Sequence, residues 1–234
     1  MSNWDDDRDA DVHMAPPPPP ARGALELERE REETPLELLT RHWMNERHAP
    51  EILPAQEALL SSILDHLRRQ SDAVQTLRGD PSTSDDEHLR ITLVQLDIER
   101  VKFIVRSYVR TRLYKIEKYA RYITSSPDIQ TRLTAAERDH ASRHADLNDR
   151  HFNFSVLQSL PEPQRHLDDD VPYYMPPMMT TPDASKPVFV HALKDCPPVV
   201  LPDGTRHEMM KGHISLTHFS VVEHLVARGE AELV

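Results

Sequence analysis

The stretch from Ile91 to Ile123, ITLVQLDIERVKFIVRSYVRTRLYKIEKYARYI, contains no glycine and no proline, so nothing in it breaks a helix. Val94, Ile98, Val101, Val105, Val109, Leu113, Ile116 and Ile123 recur at helical spacing, and Leu93, Leu96, Ile104 and Tyr108 widen the stripe. A helix apolar over so much of its circumference is predicted to lie between neighbours rather than on a surface. At a rise of ~1.5 Å per residue it would extend about 50 Å. The same stretch is basic: Arg100, Lys102, Arg106, Arg110, Arg112, Lys115, Lys118 and Arg121 outnumber Asp97, Glu99 and Glu117. The whole chain of 234 residues carries a net charge of −11, so acidic groups are expected to pack along this positive spine.

Three further helices flank the spine. Thr34-Pro35-Leu36-Glu37 is a capping box with proline in the first turn. It opens a helix that runs to about His48 and stops at Ala49-Pro50. A second helix is predicted from about Pro54 to Leu77, ended by Gly79 and then Pro81. Ser84-Asp85-Asp86-Glu87 is a second capping box and opens the spine helix, which Ser125-Ser126-Pro127 closes. Thr134-Ala135-Ala136-Glu137 is a third, opening a helix that reaches Val156 or Leu157. The fold class is therefore mainly α: a four-helix-type bundle over 34–160, followed by a small β-rich C-terminal domain.

Residues 1–33, with Asp5 to Asp7, Asp9, Asp11 and the run Pro16 to Pro20, read as a disordered acidic and proline-rich tail. Residues 161–187 form a proline-rich linker. Its Tyr173, Tyr174, Met175, Met178 and Met179 predict that part of it lies against a surface. Over 188–234 the period becomes that of strands: VFVHAL, PPVVLP, RHEMM, HISLTH and AELV, with FSVVEHLVAR as a helical turn closed by Gly229. A unit of about 47 residues rarely holds a sufficient core alone, so it is expected to lean on the bundle or on another chain.

Glycine scarcity excludes several enzyme classes. The five glycines never approach one another closely enough for a phosphate-cradling loop, and GxGxxG, GxxxxGKS/T and GxSxG are all absent. The one cysteine, Cys196, precludes an intrachain disulfide and fits a reducing compartment. No apolar run approaches the length of a membrane span. His140 and His144 lie one helical turn apart, but Arg138 and Arg143 oppose a cation between them. The carboxylates fall mostly in runs that read as solvated charge. No catalytic, cofactor-binding or metal residue is assigned, and no cofactor is expected. Arg100, Arg106, Arg110, Arg112, Lys115 and Lys118 would suit nucleic-acid phosphates. They share a helix with a wide apolar face, however, and arginine is equally suited to bidentate ion pairs in protein interfaces. Protein contact is the favoured reading. A helical DNA-binding protein using the basic face of helix 91–123 is the alternative.

Taken together, WMNERHAPEIL (43–53), IERVKFIVRSYVRTRLYKIEKY (98–119) and GHISLTHFSVVEHLVARGEAELV (212–234) resemble the Sld-five subunit family of the GINS complex. The likeness spans about 34–234 and includes the order of an α-helical A domain before a β-rich B domain. It implies a non-catalytic scaffold subunit of a heterotetramer with three Psf subunits. That complex would join the MCM helicase ring and its accessory protein as a component of the replicative helicase, needed for initiation and elongation of DNA replication. The resemblance further implies a nuclear location, indirect contact with the replicative polymerase, indirect or weak contact with DNA, and none with membranes. It marks Trp43, Asn45, Glu46, Pro50, Glu99, Arg100, Arg106, Tyr108, Arg110, Arg112, Lys115, Glu117, Lys118, Leu225, Gly229 and Leu233 as family-motif and subunit-interface residues. The polyproline run departs from the family pattern, and residues 1–33 carry no DDILxxL-like segment for a replisome hub.

Overall fold

All three capping boxes form, each with the Ser or Thr side chain accepting from the Glu backbone N–H and the Glu carboxylate accepting in return. They open α1 (Pro35–His48), α3 (Asp85–Lys118) and α6 (Ala135–Ser155); α2 (Glu57–Arg78) lies between the first two. The computed structural model describes residues 33–79, 84–165 and 179–234. The N-terminal tail apart from Glu33, and the linker residues Tyr173, Tyr174, Met175 and Met178, lie outside the described residues.

The spine helix ends earlier than its composition predicts. Tyr119, at φ −110° and ψ 21°, breaks it, and α4 (Ala120–Ser125) and α5 (Pro127–Gln130) follow. Neither glycine nor proline marks this bend. Turning there puts Tyr119 and Ile123 into a small core with Ile52, Ile116, Ile129, Leu133 and Ala141. A larger core joins α1, α2 and α3 through Leu39, Ile63, Leu67, Val74, Ile91, Ile98, Val105 and Tyr108.

The C-terminal part is a three-stranded antiparallel sheet in the order β4-β1-β5, where β1 is Pro187–Ala192, β4 Ile214–His218 and β5 Ala231–Leu233. A two-stranded ribbon of β2 (Val199–Val200) and β3 (Arg206–His207) lies beside it, and α7 (Phe219–Ala227) covers one face. Alternation along β1 buries Val188, Val190 and Ala192 and turns Pro187, Phe189 and His191 outward. The core beneath contains Phe219, Val222, Leu225 and Leu233, and it also takes in Ala49 and Leu53 from the bundle. The small domain therefore leans on the bundle, and Thr34–Val234 forms one compact unit.

Candidate functional site

Between α1 and α2 the chain does something loops seldom do: it runs inward. Ala49, Pro50 and Ile52 are buried, and a buried loop strands backbone carbonyls that need donors. The spine supplies them. Lys115 donates to the carbonyl of Glu46, to Glu46 Oε1 at 2.9 Å and to the carbonyl of Glu51 at 2.8 Å, which uses all the protons of an ammonium. Arg112, one turn earlier, is only 2 % exposed. Its Nε and Nη2 grip the two oxygens of Glu137 at 2.7 and 2.9 Å. Its Nη1 reaches Glu46 Oε2 at 3.1 Å and the Leu53 carbonyl at 2.7 Å, and Nη2 also reaches the Arg132 carbonyl at 3.3 Å. Every guanidinium N–H thus has an acceptor, which is the condition under which a buried charge is tolerated.

The charges balance within this seam: Arg112 and Lys115 face Glu46 and Glu137. Burial works against ionised Glu137, but the hydrogen bonds and charge of Arg112 override it and hold the carboxyl below its ordinary range. Burial likewise opposes the Arg112 charge, and Glu137 and Glu46 reverse that, so its pKa rises. For Lys115 burial prevails over Glu46 and the ammonium pKa falls. Tyr108 closes one end, with its hydroxyl accepting the Gln56 N–H at 3.3 Å and burial pushing the phenol up. Trp43 closes another, donating from Nε1 to Thr111 Oγ1 at 3.2 Å.

The same loop carries the β-rich domain. Asn45, buried in the last turn of α1, accepts the Leu233 N–H at 2.7 Å. Arg132 bridges Glu51 at 2.7 Å and Glu223 of α7 at 3.0 Å. Gly229, at φ 67°, ends α7 in a Schellman arrangement: the Glu230 N–H bonds the Leu225 carbonyl at 3.0 Å, and the Gly229 N–H bonds that of Val226 at 3.1 Å. That reversal aims β5 at Asn45, and Leu225 and Leu233 are fully buried behind it.

The remaining motif residues lie outside the seam. Arg100 pairs with Asp97 at 3.6 Å, and Glu99 with the half-buried Lys102 at 2.8 Å and with Arg106 at 3.7 Å; the others are exposed. Glu117 Oε1 lies 3.3 Å from His140 Nε2. Arg110 and Lys118 are exposed. Of the six cations considered for phosphate contact, two are therefore buried and two face carboxylates of their own helix. Sequence reasoning passed over Glu51, Arg132 and Glu223, and it placed Glu137 only as a cap. Glu137 does both, since it also accepts the Thr134 N–H at 3.0 Å.

Among the described residues, only one side of α3 is covered. Leu89, Leu93, Leu96 and Phe103 are 54–62 % exposed, and their spacing puts them on one face of the helix. Arg100, Arg110, Tyr114 and Lys118 continue that face toward its C-terminal end. The outer face of the sheet repeats the pattern, with Phe189 paired to Leu216 and His191 to Ile214, and all three apolar side chains exposed. Contiguous apolar surface of this kind marks a place where something docks.

These features define a mainly α protein built from a helical bundle with a β domain locked to it. Residues 66–153 match the family model described as GINS complex protein helical bundle domain, and residues 182–234 that described as DNA replication complex GINS protein SLD5 C-terminus. The chain is 40% identical over 157 residues to DNA replication complex GINS protein sld5 of Schizosaccharomyces pombe, covering 67% of this chain and 71% of the relative. It is 33% identical over 205 residues to the SLD5 protein of Chaetomium globosum, covering 85% and 90%. The SLD5 protein of Arabidopsis thaliana is 39% identical over 127 residues, covering 54% of this chain and 56% of the relative. The chain belongs to the SLD5 family of GINS proteins.

Proposed function

We propose that this protein is a non-catalytic scaffold subunit of the heterotetrameric GINS complex, assembled with three Psf subunits and acting in DNA replication in the nucleus. Within that reading the complex joins the MCM helicase ring and its accessory protein as part of the replicative helicase for initiation and elongation. The replicative polymerase is met only indirectly, and DNA contact is indirect or weak. The observation that carries the proposal is the bare face of α3. Leu89, Leu93, Leu96 and Phe103 stand in solvent on a helix whose opposite side is rigidly anchored, and burying four such side chains would contribute roughly 1.5–3 kcal/mol each. The buried charges support it indirectly, because Arg112 and Lys115 are committed to holding the chain's own loop. Co-expression tests the reading. Leu93→Glu with Leu96→Glu is expected to abolish co-purification of partner subunits while the lone chain keeps its helix content. Undiminished co-purification would remove the reading's main support.

A further inference from the structure

At the C-terminal end of the bare α3 face lies a cleft of about 620 Å³. Arg47 from α1, Arg110 and Lys118 from α3, and Lys186 from the segment before β1 line it. Three separate stretches of chain thus deliver positive charge to one concavity. Among the described residues none of these four takes part in an ion pair. The one carboxylate among the described lining residues, Asp183, accepts the Ser185 N–H at 2.9 Å and hydroxyl at 2.6 Å on a single oxygen and lies within electrostatic reach of Lys186, so it offsets only part of the positive charge. The concentration of charge is felt next door. The His48 imidazole is pushed down by burial and then by Arg47, Lys115 and Lys186.

Charge alone would attract any anion, and the shape narrows the choice. The cleft also has an apolar side, with Ala49 and Pro50 buried beneath it, Tyr114 66 % exposed, and Lys118 Nζ 5.1 Å from the Tyr119 ring centroid. A nucleic-acid backbone needs a track of cations, with several aromatic faces if it is single-stranded. Here the positive charge does not continue along the helix: the same face runs through Phe103 and the paired Arg100 to Leu96. The chain's net charge of −11 also repels a polyanion more than a short ligand with a few carboxylates.

We propose that this cleft receives an acidic peptide segment of a partner protein, with its carboxylates on Arg47, Arg110, Lys118 and Lys186 and an adjacent aromatic or aliphatic side chain against Pro50 and Tyr114. This goes beyond the subunit assignment and does not depend on the bare leucine face.

The test is fluorescence anisotropy on the full-length chain with a labelled peptide of sequence DDEFDDEL. Its amide analogue NNQFNNQL and a labelled oligodeoxythymidine serve as comparisons. The acidic peptide binds saturably and the amide analogue does not. Affinity falls by about tenfold or more in Arg110→Glu with Lys118→Glu, and separately in Lys186→Glu, the loss expected when charge-assisted bonds become repulsions. None of the three residues belongs to the buried seam, and circular dichroism reports whether each variant keeps its helices. No saturable binding to the unaltered chain, or unchanged affinity in both variants, overturns the proposal. Oligodeoxythymidine binding that is tighter than the peptide's and lost in the same variants also overturns it, assigning the cleft to nucleic acid instead.

Discussion

The backbone N–H of Leu233 donates to the side-chain oxygen of Asn45 at 2.7 Å, joining residues 188 positions apart in the chain. β5 is an edge strand of its sheet, and an edge leaves backbone donors without strand partners. Asn45 satisfies one of them inside the protein, so the last strand is fastened to the first helix. Asn45→Ala would leave a buried N–H unpaired, at a cost of about 1–3 kcal/mol. The expected result is faster amide hydrogen exchange in Ala231–Leu233 and easier proteolysis between bundle and sheet, with the helical circular dichroism little changed. Removing Ala231 to Val234 deletes β5 altogether and should ease proteolysis between bundle and sheet still further. Exchange in β5 that is unaffected by Asn45→Ala would refute the fastening role.

Arg112 is the residue on which the charged seam depends. Replacing it with alanine leaves Glu137 without its cation and Glu46 with Lys115 alone, and breaking a buried pair in this way costs about 3–5 kcal/mol. Arg112→Lys keeps the charge but offers three donors instead of five and no planar fork. It should fall between the parent and Arg112→Ala in urea denaturation. Equal stability of Arg112→Lys and the parent would show that charge alone, without the fork, holds the seam.

Acid should attack the seam through Glu137. Its folded carboxyl lies below the unfolded value of about 4.3, held there by Arg112 against the opposing effect of burial. Its stabilisation is therefore complete above the unfolded value and is lost as pH falls through the folded one. Glu51 has the opposite sign, since burial raises its carboxyl despite Arg132, so only a difference between variants isolates Glu137. Glu137→Gln should be less stable than the parent at neutral pH, and the gap should narrow as pH drops below about 4.3. A gap that is constant from pH 7 down to the acid transition would assign the carboxylate no part in the seam.

What could be read in advance and what could not divide along a physical line. Capping boxes at Thr34, Ser84 and Thr134 are local arrangements, complete within four residues, and they stand where the sequence places them. Strand alternation in β1 is local too. The sequence predicts acidic partners along the spine and favours protein contact for Arg112 and Lys115, but it does not show that those partners, Glu46 and Glu137, belong to this same chain, 66 to 69 and 25 residues away. No periodicity encodes such pairing. The break at Tyr119 was equally hidden, since packing against α6 rather than a breaker residue sets it. The wide apolar stripe of α3 was legible as a stripe, but how much of it this chain would cover was not. Leu93 and Leu96 remain exposed while Ile98, Val105 and Ile116 are buried.

The central claim, that this chain is one subunit of a larger GINS assembly, is tested most directly by native mass spectrometry of the full-length chain co-expressed with three Psf subunits. The expected result is a single species whose mass equals one copy of each of the four chains. A mass equal to this chain alone, with the other three assembled without it, would rule out membership in the assembly.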